Sequence, residues 1–222
     1  MTKPWRTTSP IKRSPPLTEL RNSALAEVLT SSIVGLTAET LRSGKVVDKP
    51  RFGSFIKVES PENKLDIFAV VLDVVTNPPD SVHRPAALGL SRERLREEQP
   101  HIFSLLKTEI KALIIGFAEE GKIYQHLPPQ PPEVHDFVYR ADDKAICALS
   151  AEFDFLRLLA TTTIVPVDEI ISACIREAAR VRKNEKEKEA YLLEAGRAVS
   201  QLFRSDYERM VAIVRKLKPN LL

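Results

Sequence analysis

Ile67-Phe-Ala-Val-Val-Leu-Asp-Val-Val-Thr76 is the stretch that decides the fold. It is dense in β-branched residues, holds one charge, and contains neither Gly nor Pro, so it predicts a strand. Upstream, Phe52 to Val58 (Phe-Gly-Ser-Phe-Ile-Lys-Val) reads as a second short strand, set off by the turn residues Pro61-Glu62-Asn63-Lys64. Before that, Ile33 to Leu41 alternates in part and runs into Ser43-Gly44-Lys45, another turn signal. Three strands at close spacing predict a meander within a small barrel or sandwich.

Downstream, Asn77-Pro78-Pro79-Asp80 is a strong turn. Ser91 to Glu98 reads as a helix with Ser91 as its N-cap, ended by Pro100, with Ile102 to Leu106 as a short apolar turn or strand. An insertion of this length between strands is often a lid or contact loop. Thr108 to Phe117 is the fourth strand, Glu120-Gly121 a hairpin turn, Lys122 to Gln125 the return, and Phe137 to Arg140 one more short strand.

After Asp142-Asp143 the period becomes helical. Glu152 to Leu159 predicts a short helix, and Pro166 with Asp168 opens a longer one. Ile170, Ile171, Cys174, Ile175, Ala178 and Ala179 share one face. Leu192, Ala195, Val199, Leu202, Phe203, Met210 and Ile213 form one stripe over Glu187 to Lys216. The charged run Arg180 to Lys188 is expected as a solvated face or the turn of a helical hairpin.

The expected fold class is therefore α+β, a small N-terminal β-barrel with a C-terminal all-helical region. The expected division is a disordered, basic, proline-rich arm over 1–24, a β domain over 25–145 with a helical insertion near 85–107, and a helical region over 146–222. The 43% hydrophobic and 28% charged residues are a globular composition. No apolar run reaches the roughly 18 residues of a membrane span. Two cysteines, Cys147 and Cys174, in apolar surroundings suit reduced thiols, and the expected compartment is cytoplasmic.

The net charge of +3 is unevenly placed, with basic residues in excess in 1–22 and in 180–222 around an acidic middle. That asymmetry nominates Trp5, Arg6, Lys12, Arg13, Arg180, Arg182, Lys183, Lys186 and Lys188 as contacts for nucleic acid or a protein partner. Phe52, Phe55, Phe68 and Phe117 are the corresponding stacking candidates, set against the expectation that they are core.

Chemistry is hard to find. No G-x-S-x-G elbow occurs. The four histidines, His83, His101, His126 and His135, show no ligand spacing, although the proline run between His126 and His135 leaves room for the two to meet. Asp142-Asp143 is expected as a turn rather than a carboxylate pair, and Asp66 and Asp73 lack a companion Glu and Lys. No catalytic residue, metal or cofactor is expected. An enzyme would require Phe52, Phe68, His126 and His135 to converge on a pocket.

The early strand with Val34-Gly35, Phe52 to Val58, Ile67 to Thr76, Ile110 to Phe117, and the stretch Leu127 to Ala141 (Leu-Pro-Pro-Gln-Pro-Pro-Glu-Val-His-Asp-Phe-Val-Tyr-Arg-Ala) together resemble the HAS barrel. This is the N-terminal β-barrel of HerA-type hexameric DNA-translocating ATPases and of the ATP synthase α and β subunits. The resemblance covers roughly residues 25–145. It implies an assembly and docking role. In HerA-type chains a motor with a phosphate loop follows the barrel, but no G-x-x-x-x-G-K-[ST] occurs here and helices take its place. The expectation is a non-catalytic interaction module for a protein partner, either an ATPase or a second copy of this chain. A nucleic-acid-binding accessory protein is the alternative.

Overall fold

A computed structural model describes residues 24–41, 49–77 and 88–217. The arm residues Trp5, Arg6, Lys12 and Arg13 lie outside the described residues. Among the described residues there are seven strands: β1 (Ala26–Ser31), β2 (Gly35–Thr40), β3 (Phe55–Ser60), β4 (Leu65–Asn77), β5 (Lys107–Glu119), β6 (Lys122–Tyr124) and β7 (Phe137–Arg140). All pairings are antiparallel. The order β2-β1-β7-β3-β4-β5 returns to β2 through a β2–β5 pairing, so six strands close into a barrel. The first half of β5 carries β2 along that edge, and its last residues carry β6.

Closure brings backbones close. Gly35 lies opposite Leu113, and a Cβ there would stand 2.8 Å from the Ala112 carbonyl oxygen. The seam between β2 and β5 therefore accepts glycine and little else at this position.

The expected meander needs correction. Ile33 to Leu41 yields β2, but β2 does not pair with β3; its neighbours are β1 and β5. The meander is β3-β4-β5-β6, while β1 and β2 form a separate hairpin whose β1 is joined to β3 through the four-residue β7. Strand propensity is local and says nothing about which strand is the neighbour. β1 itself was not anticipated, because Ala26-Glu-Val-Leu-Thr-Ser31 alternates only over its first three residues. Phe52 precedes its strand, which begins at Phe55; Phe52 and Gly53 form a turn in which Gly53 adopts φ +78°.

The insertion is helical in both halves. Ser91 caps α1 (Arg92–Glu98), its side chain accepting from the Arg94 amide. Pro100 does not simply end that helix. It stands in the first turn of α2 (Pro100–Leu105), where a missing N–H costs nothing, so Ile102 to Leu105 is helical rather than extended. Asp142 caps α3 (Asp143–Leu149) and so forms a turn, not a carboxylate site. Then come α4 (Phe155–Leu159), α5 (Val167–Arg180), α6 (Glu185–Leu202) and α7 (Tyr207–Leu217). The long stripe expected over Glu187 to Lys216 is split after Phe203. There Asp206 accepts from the Arg209 amide and starts α7 afresh.

Two cores result. Ile56, Val58, Ile67, Ala69, Val71, Ile110, Ala112, Ile114 and Val138 fill the barrel interior. Phe55, Phe68, Val70, Leu72 and Ile115 point outward from β3, β4 and β5 into a second core shared with α3 to α7. This is why Ile67 to Leu72 is buried without a break: one side faces the barrel interior and the other faces helices, so the strand reads as a continuous apolar run. The face predicted for α5, Ile170 to Ala179, is wholly buried in the second core. The bodies meet most closely where Gly53 abuts α5, since a Cβ there would lie 2.7 Å from the Ala173 Cβ and 2.8 Å from the Cys174 nitrogen.

Candidate interaction surface

The basic residues nominated in the tail stand at the turn between α5 and α6 and on its two flanks. Residues 181–184 are the turn between α5 and α6, and Asn184 caps α6 by accepting from the Glu187 amide. Arg180 donates to Glu177 at 3.0 Å and Lys188 to Glu185 at 3.1 Å. Arg182 turns inward: it donates to the Ser150 hydroxyl at 2.8 Å and stacks over the Tyr191 ring at 4.1 Å. It thus clamps the end of α3 to α6, a structural use of a planar cation. Burial pushes the Tyr191 phenol well up, as expected for a group held in this seam. Lys183 and Lys186 are exposed.

The stacking candidates separate in the same way. Phe55, Phe68 and Phe117 are buried, and Phe52 is exposed in its turn. Phe55 meets Phe155 edge to face at 6.3 Å across the seam. Phe52, Phe68, His126 and His135, which an enzyme would require at one pocket, stand in different surroundings. Phe68 lies in the seam, and His126 packs against Phe117 and Tyr124. His135 contacts Glu27 instead, Nδ1 to Oε1 2.5 Å. Asp66 sits 3.6 Å from Lys57, and Asp73 accepts from the Val74 amide. Burial lowers the Lys57 ammonium, but hydrogen bonding to Glu59 and the charge of Asp66 outweigh it, so the net shift is upward. Among the described residues, no three His, Cys, Asp or Glu side chains stand close enough to hold a metal ion. No described helix is long and apolar enough to cross a membrane.

What the structure leaves exposed along the β1–β2 hairpin and the turn bonded to it is a set of apolar side chains. Leu29, Ile33, Val34 and Val134 are all exposed, Val34 by 54% and Val134 by 51%. Ile33 and Val34 form the tip of the β1–β2 hairpin, fixed by hydrogen bonds from Ser32 Oγ to the Gly35 carbonyl and from the Ile114 amide to the Val34 carbonyl. Leu29 sits at the irregularity between Val28 and Thr30. Val134 is brought alongside by the next turn, in which the Asp136 amide bonds the Glu133 carbonyl. His135 takes φ +76° there, as the third residue of a type II turn does, and its amide donates to the Val28 carbonyl. The Glu27 contact holds this uncommon backbone in place. The turn therefore projects Val134 into solvent beside the middle of β1.

Sequence reading missed these four residues. Each is a single apolar residue near a turn signal, and single exposed apolar residues are ordinary; only their grouping on one hairpin and the turn bonded to it is informative. Compared with known protein families and with curated proteins, the chain matches none.

Proposed function

We propose that this chain is a non-catalytic docking module of HAS-barrel type that binds a protein partner through the barrel surface carrying Leu29, Ile33, Val34 and Val134. The observation that carries this reading is that four exposed apolar side chains lie on the β1–β2 hairpin of a closed barrel or in the turn bonded to it. The barrel interior is filled by its own side chains, which favours a role for its outer surface. Among the described strands β6 alone is paired on a single side, so the barrel offers few open edges and its exposed side chains are the feature a partner would engage. Where HerA-type chains continue into a motor, this chain continues into α3 to α7, and the partner expected is an ATPase on a separate chain. The test compares the full chain with a Val34→Asp, Val134→Asp variant as baits in native extract, read by mass spectrometry. A protein retained by the first and lost by the second, at equal unfolding midpoints, is the expected result. Identical retention of every protein by both baits removes the reading.

A further inference from the structure

Helix α7 buries one stripe and exposes another. Ile213 and Leu217 are buried, with Met210 packed beside them, against the second core. Tyr207, Val211 and Val214 follow at i, i+4 and i+7, and at 100° per residue they form an adjacent stripe. Tyr207 is 73% exposed, Val214 40%, and Val211 half-buried. One border of this stripe is the buried face. The other border carries Glu208 and Arg215, seven residues apart and so on the same flank. Both are exposed, and neither has an ion-pair partner among the described residues. Arg209 and Lys216, by contrast, are engaged with Asp206 and with Asp168 and Glu169.

We infer that α7 is the contact between two copies of this chain, paired antiparallel about a two-fold axis near Val211 and Ala212. The charge pattern selects this occupant. In an antiparallel helix pair, residues on the same flank of the two helices face one another, whereas in a parallel pair opposite flanks meet. Here the opposite flank is taken by the chain's own core, so only the antiparallel arrangement uses the free flank. It sets Glu208 of each copy against Arg215 of the other, twice by symmetry, as an isologous contact requires. Tyr207, Val211 and Val214 then cover their counterparts. A net charge of +3 leaves little long-range repulsion between copies. This surface is on a different element from the barrel hairpin and does not depend on that reading.

The test is sedimentation equilibrium of the full chain. A contact built on one short helix lies at the weak end of specific interfaces, so the range to scan is about 10 μM to about 1 mM. The wild-type mass is expected to rise from monomer toward dimer. Glu208→Arg alone and Arg215→Glu alone each place like charges opposite one another and weaken dimerisation by about tenfold or more. Mixing those two single variants restores association, because one now carries two cations and the other two anions on the meeting flanks. The double exchange in a single chain restores it as well. A wild-type chain that stays monomeric throughout overturns the inference. So does a dimer indifferent to both single reversals, or a failure of the mixture to associate. The exposed position of both residues keeps the fold intact, checked by unchanged thermal unfolding. The Val34→Asp, Val134→Asp variant serves as a control that should dimerise normally.

Discussion

The two faces of β4 use the same residue types for different ends. Ile67, Ala69 and Val71 face the barrel interior, where their neighbours are other strands. Phe68, Val70 and Leu72 face α4, α5 and the rest of the helical body. The inner face contributes to a closed ring whose register is enforced by the backbone on every side. The outer face makes a seam between a sheet and helices, held by side-chain packing, by the contact at Gly53 and by the ion pair of Arg51 with Glu177. A ring of hydrogen bonds is hard to loosen in part. A packed seam depends on individual shapes, and so single substitutions there should act strongly and locally.

The largest effect is expected from Phe155→Ala. Phe155 is fully buried in the seam against Phe55, and truncating a buried aromatic costs about 3–5 kcal/mol. Urea unfolding followed by far-UV circular dichroism measures the loss. A cost below about 1 kcal/mol would mean that the seam repacks freely and that the contrast with the barrel interior is wrong.

Gly53→Ala should come next, at about 2–4 kcal/mol, because it combines a left-handed backbone with a collision against the α5 backbone. It also sharpens the comparison. Amide exchange of α5 should accelerate more than that of β1 and β2, which lie on the far side of the barrel interior from the clash. Equal acceleration in both would show that ring and seam open as one unit.

The smallest effect concerns the pin between the end of α7 and the start of α5. Lys216 Nζ lies 2.7 Å from Asp168 and 2.6 Å from Glu169. The hydrogen bond from Lys216 holds the Asp168 carboxyl below its ordinary value of 3.8, and the same bonds raise Lys216 above 10.5. The Asp168 contribution is therefore complete above about pH 4 and is lost as pH falls through its lowered value. The Lys216 contribution is complete below its ordinary value and is lost as pH rises through its raised one. Lys216→Met should remove about 0.5–1 kcal/mol at neutral pH and flatten both limbs of a plot of urea midpoint against pH. Unaltered limbs would show that this pin adds nothing to the helical side of the seam.

Much of the barrel was legible. β4, β5, the Glu120-Gly121 hairpin and β7 stand where the alternation and turn residues put them, because those signals are local. The buried face of α5 was equally legible, since a 3.6-residue period over 14 residues leaves little choice. The strand order was not, because closure through β7 and through the β2–β5 pairing depends on segments far apart in sequence. Individual contacts were not legible either: Arg182, nominated as a tail cation, stacks on Tyr191, and the exposure of Val34 and Val134 left no mark in the sequence.

By itself the sequence determined where most of the chain is extended or helical and which side of α5 seeks a core, because these follow from spacing within a few residues. Only the tertiary structure decided that six strands close into a ring, that β4 is buried on both sides, and which charges are consumed by internal partners. Those outcomes depend on which distant segments meet, and pairwise contact between distant segments leaves no periodic mark on the chain.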